Sequence, residues 1–111
     1  MATLDDTVAA AEAALSALYD LQSRAMTAGD TGAQQALGDR IADLTDKLGQ
    51  LRAQQIAGDD ARLDALNAQL DAVTTSAQAS LDDIRQVAGV VSDVLTAAKM
   101  VDGVVKAVAG V

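Results

Sequence analysis

The sequence contains no cysteine, proline, histidine, tryptophan or phenylalanine, and Tyr19 is its single aromatic residue. Each absence excludes a kind of chemistry. Without Cys there is no disulfide framework and no thiol nucleophile, and without Cys or His there is no zinc site of the usual kind. A Ser-His-Asp triad cannot be built. The glycines are scattered, so neither a phosphate-binding loop nor a dinucleotide fingerprint is present, and no Asp-x-Asp-x-Asp-Gly calcium loop occurs. No stretch of about 18 charge-free apolar residues exists, so no transmembrane segment is expected. The start, Met1-Ala2-Thr3-Leu4-Asp5-Asp6, has neither the basic patch nor the apolar run of a cleavable signal peptide. The expected location is cytoplasmic, or outside the cell by export without such a peptide.

Positive charge is also scarce. Eight Lys and Arg stand against sixteen acids, giving a net charge of −8 and a pI near 4.1. Nucleic acid, whose phosphates need a basic surface, is excluded as a partner, and tight binding to an anionic membrane is disfavoured. The acids are 15 Asp and one Glu, Glu12. Asp is a weak helix former in interiors but suits helix starts.

What the chain does contain is alanine, valine and leucine. Half of the 111 residues are hydrophobic and 25 are Ala. Ala buries little area, so the core must come from Leu, Val and Ile, each worth roughly 1.5–3 kcal/mol when fully buried. Such a core is thin and smooth, and a partner or oligomer interface is expected to supplement it. The excess of Ala, Gly, Asp and Arg over Lys, Asn and Ile points to a bacterial source of high GC content.

With no Pro and a hydrophobic period of 3.5–3.6, the elements are helices. The first is predicted over 4–28, with Thr3 as N-cap, Asp5 and Asp6 in the first turn, and a stripe of Leu4, Val8, Ala11, Leu15 and Leu18 widened by Tyr19, Leu21 and Met26. Tyr19 is expected at the core edge with its hydroxyl in water. Gly29-Asp30-Thr31-Gly32 is the strongest break in the chain. The second helix is predicted over 33–57, on the frame Leu37, Ile41, Leu44, Leu48 and Leu51. Gly38 and Gly49 lie inside it, each costing about 1 kcal/mol relative to Ala, and mark candidate points of close backbone approach. Ala57-Gly58-Asp59-Asp60 forms the second break.

From Leu63 an alternating 3/4 spacing runs through Leu66, Leu70, Val73, Ala77, Ser80, Ile84, Val87, Val91, Val94, Ala98, Val101 and Val105 to Val108. This unbroken frame predicts one coiled-coil-like helix over 60–109, about 75 Å long. Its weak point is 74–80, a polar, small stretch where Ser80 would cap a new helix with Asp83 in the capping-box position. Gly89 is a second soft point. The fold class is therefore all-α, a single antiparallel bundle or long helical hairpin of three to four helices. If the long helix is continuous, the first two pack along it; if it splits, a four-helix up-down bundle results.

The pairs Asp5-Asp6, Asp59-Asp60 and Asp82-Asp83 fall at predicted helix starts, where capping and the helix dipole explain them without a metal or acid-base role. Several bases have an acid within one turn, as in Asp20–Arg24, Asp43–Lys47 and Asp102–Lys106, the pattern of a solvated helix face. No lone Lys in apolar surroundings offers a Schiff-base nucleophile. The reading is accordingly non-enzymatic, with no cofactor and no metal.

The candidate site is the C-terminal helix. Val90, Val94, Ala97, Ala98, Val101, Val104, Val105 and Val108 project onto one broad face. The frame Val87, Val91, Val94, Ala98, Val101, Val105 and Val108 is the expected interaction seam. Leu dominates the long frame before Ala77 and Val after it, so the Val half is expected to meet another chain. The expected function is a non-catalytic assembly or adaptor protein that binds copies of itself or a protein partner. Small bacterial helical proteins of secretion systems, as accessory components or substrates, have this general composition and helix pattern, a likeness that carries over no residue. A membrane-active helical protein using 86–111 is the alternative; the near absence of Trp, Phe and clustered Lys or Arg there weighs against it.

Overall fold

The computed structural model describes residues 3–54, 56 and 61–108. Among these residues there are four α-helices and no strand: α1 (Leu4–Thr27), α2 (Thr31–Ala53), α3 (Ala61–Asp82) and α4 (Val87–Val108), the last preceded by a 3-10 turn over Ile84–Gln86. The expectations for Gly58, Asp59 and Asp60 lie outside the described residues.

Local chemistry sets the ends of α1. The Thr3 hydroxyl accepts the Asp6 backbone N–H at 3.2 Å, and the Asp6 carboxylate accepts the Thr3 N–H at 3.0 Å. This capping box satisfies two otherwise orphaned donors. The bond from the Thr3 backbone holds the Asp6 carboxyl below its ordinary range. At the other end Gly29 turns the chain with φ +75°. The Asp30 N–H then donates to the Ala25 carbonyl at 2.9 Å and the Gly29 N–H to Met26 at 3.1 Å, a Schellman closure. Asp30 itself caps α2 by accepting the Ala33 N–H at 3.0 Å, so α2 begins two residues before the expected start. Gly29→Ala puts a Cβ on left-handed backbone and lowers stability by about 1 kcal/mol, measurable by thermal denaturation followed by circular dichroism.

In space α1 packs against α2 and α3, and α4 packs against the same two, giving a ring order α1–α2–α4–α3. The tight turn makes α1 and α2 antiparallel. A Lys47–Asp102 ion pair of 2.8 Å joins the C-terminal parts of α2 and α4, which run parallel, while Ser76 bonds Asp93 at 2.7 Å across the antiparallel α3–α4 hairpin. Two helical hairpins thus lie side by side in a bundle of 44 × 22 × 16 Å. The fold is the all-α, four-helix alternative of the sequence reading.

The long helix predicted over 60–109 is instead two helices, and the break is at Asp83, beyond the expected weak point; Thr74 to Ser80 is helical. Asp83 is the cap in place of Ser80. Its carboxylate accepts the Arg85 N–H at 3.1 Å and both side-chain donors of Arg85 at 3.0 and 3.2 Å. Those bonds hold the Asp83 carboxyl below its ordinary range. The turn shifts the helical phase. Before it the predicted frame holds, with Leu63, Leu66, Leu70, Val73, Ala77 and Ser80 all buried; after it the buried positions are Val87, Val90, Val94, Ala97, Ala98, Val101 and Val104.

The α2 frame Leu37, Ile41, Leu44, Leu48 and Leu51 is buried as expected. The α1 stripe is rotated. Its buried side is Thr7, Ala11, Ala14, Ala17, Leu18, Leu21 and Ala25, with Leu4, Val8 and Leu15 only half-buried on the flank. Tyr19 and Met26 do not widen the core; they are 54% and 59% exposed. Small side chains on the inner side let the α1 backbone approach its neighbours closely, while the larger Leu residues of α2 and α3 fill the space between.

Candidate interaction surfaces

The expected seam on α4 is largely consumed by the fold. Val87, Val94, Ala98 and Val101 are buried within the chain, whereas Val91, Val105 and Val108 are half-buried at the edge of the core. The seam residues therefore do not form one outward stripe. The physical reason is the Asp83 turn, which folds α4 back on α3 and α2 and uses its apolar side as the fourth wall of the bundle.

Two surface features beside α4 remain. The first is a shallow apolar groove between the N-terminal halves of α2 and α4. Ala33 and Ala36 line it from α2, and Ile84, Ala88, Val91 and Leu95 from the other side. One of its hollows measures about 440 Å³. Arg40 and Arg85 stand on its rims, with Asp30 and Asp39 beside them. Leu95, at 38% exposure, is the most exposed Leu, Val or Ile among the described large hydrophobics. Of the expected seam, Val87 and Val91 reach this groove. The sequence pattern does not mark Leu95 or the Ala residues, because the groove exists only where α2 and α4, distant in sequence, pack side by side.

The second is a hollow of about 560 Å³ between α3 and α4, walled by Thr75, Ser76, Ser80, Gln86, Gly89 and Asp93 among others. Ser76 Oγ donates to Asp93 Oδ2 at 2.7 Å, and Gln69 Nε2 donates to the Asp93 carbonyl at 2.9 Å. Ser80 is fully buried and its Oγ meets no partner among the described residues. A buried hydroxyl without a bond is costly, so this position is set by something other than core packing alone.

The ion pairs at Lys47 and Arg52 run between helices rather than along one face. Lys47 bonds Asp102 of α4 instead of Asp43, and Arg52 bonds Glu12 of α1 at 2.8 Å. The hydrogen bond to Asp102 raises the Lys47 amine above its ordinary range. Both pairs tie α2 to its neighbours. Among the described residues no three acids gather closely enough to hold a metal ion, and no helix is long and apolar enough to cross a membrane. No known protein family, characterised protein or solved structure matches this chain.

Proposed function

We propose that this chain is a non-catalytic assembly or adaptor protein, serving as an accessory component or substrate of a bacterial secretion system. It works by seating one apolar helix of a protein partner in the α2–α4 groove. The carrying observation is that groove: an apolar floor shared by two parallel helices, with Leu95 exposed on its wall. Helix-in-groove recognition needs such a strip, about three turns long, with polar rims. From Ile84 to Leu95 the groove has that length. The interaction surface is therefore the flank of α4 facing α2, of which Val91 and Leu95 are the centre.

Site-specific photo-crosslinking tests this. A photoreactive residue at position 95 is expected to capture one helical segment of a partner in the producing cell, and Ala36→Glu in the groove should abolish that capture. The same residue at position 16, on the exposed outer side of α1, should capture nothing. Equal capture from 16 and 95, or capture insensitive to Ala36→Glu, sinks the proposal. Membrane activity is a weaker reading, since α4 would have to surrender its buried side to lipid. Flotation with phosphatidylcholine–phosphatidylglycerol vesicles would favour it if the chain rose with them.

A further inference from the structure

The outer face of the α3–α4 hairpin is made almost wholly of small uncharged residues. Ala65, Ala68, Ala72, Thr75 and Ala79 are exposed along α3, and Gly89, Thr96, Gly103 and Ala107 along α4. Helical projection from the buried sides places these positions on one face. Asp93 is the one charge within it, half-buried and bonded to Ser76. In a chain of net charge −8, a face this free of charge is where two copies approach with least repulsion.

Three further observations bear on it. Glycine weakens a helix interior, yet a Cβ built on Gly89 or Gly103 meets nothing within 4 Å among the described residues, so packing between them requires neither. The unpartnered Ser80 hydroxyl lies in the wall of the hollow on this same face. The edges of the face differ in sign: Asp71 and Asp82 border it on the α3 side, Arg85 and Lys99 on the α4 side. Ser76 and Asp93 stand level across the hairpin, which sets Arg85 near the height of Asp82 and Lys99 at about the height of Asp71.

We infer that a second copy of this chain covers the α3–α4 face in a two-fold dimer, each α4 glycine stripe receiving the alanine stripe of the other copy's α3. The inference rests on the assembly reading above and names one partner as the chain itself. A two-fold axis along the bundle lays α4 of each copy over α3 of the other, an isologous contact that places the basic edge against the acidic one. The glycines then permit close backbone approach. The hydroxyl-lined hollows face each other, which sets the exposed Thr75 and Gln86 of each copy beside those of the other. The bundle, 44 Å long and 16–22 Å across, provides a face on the order of 700–950 Å², against roughly 800 Å² per partner in a stable dimer.

Sedimentation equilibrium of the full chain, up to its solubility limit, tests this. The wild type is expected to be a dimer. Ala72→Arg and Gly103→Leu, both at exposed positions, should give monomers with unchanged circular dichroism. Lys99→Asp should weaken the dimer about tenfold or more, and adding Asp71→Lys should restore it. Leu95→Asp, in the α2–α4 groove, should leave the dimer intact. A monomeric wild type overturns the inference, as does a dimer that survives Ala72→Arg or is lost with Leu95→Asp; failure of the charge swap to restore association overturns the two-fold arrangement. A monomeric wild type that still shows position-95 crosslinking would remove the dimer alone and leave the groove reading standing.

Discussion

Val94→Asp is expected to unfold the bundle, with loss of most of the helical circular dichroism signal and of the cooperative thermal transition. Val94 is fully buried in α4, and the core around it is formed of Leu, Val, Ile and Ala. A carboxylate placed there has lost its water and gained no cation. The cost of such an unpaired buried charge is at least ~4 kcal/mol, comparable to the whole stability of a domain this size, about 5–15 kcal/mol. Val101→Asp is expected to do the same, since Val101 is likewise buried. The outcome separates two roles for the valines of α4. Were they an external seam, the charge would disperse copies and leave each one folded. A Val94→Asp chain with native circular dichroism and melting temperature would show that α4 is not packed as described.

Leu66→Ala should lower stability by about 3 kcal/mol and the melting temperature by about 12 °C, with the native helical content kept at low temperature. Leu66 is fully buried on α3, the helix that faces both α1 and α4. Its loss is large because α1 presents mainly Ala on its inner side and cannot extend to refill the space. Truncation therefore leaves a cavity rather than a repacked core. A loss below about 1 kcal/mol by urea denaturation would mean that the layer collapses, and that the core is looser than its burial implies.

The sequence reading succeeded where local chemistry decides the structure. The capping box at Thr3 and Asp6, the break at Gly29 and the α2 frame from Leu37 to Leu51 each depend on residues within a few positions of one another. On α1 it was partly right: Ala11, Leu18 and Leu21 are buried as expected, but Leu4, Val8 and Leu15 lie on the flank toward α2, and Ala14, Ala17 and Ala25 complete the inner side. Close helix approach selects small residues, and a pattern based on hydrophobic size misses that choice. The heptad frame carried into α4 was partly displaced for another reason. A frame is defined relative to one helix axis and drifts across a turn, so Val87, Val94, Ala98 and Val101 are buried as the frame has them, while Val90 and Val104 take the core places it gave to Val91 and Val105. The broader projection of the same helix, which needs no frame carried across the turn, did find Val90, Ala97 and Val104.

What the sequence by itself determined is the class of the molecule: helices throughout, capped by Asp and Thr, with a core of Leu, Val and Ala and no residues for thiol or imidazole chemistry. Only the tertiary structure decided that the C-terminal valines face inward. At Asp83 the 3/4 hydrophobic spacing runs on through the turn, so the local pattern does not reveal the side-chain cap on Arg85 that ends α3. Burial of α4 against α2 and α3 settles the turn, and that same burial determines which flanks of the helix remain outside for another chain to meet.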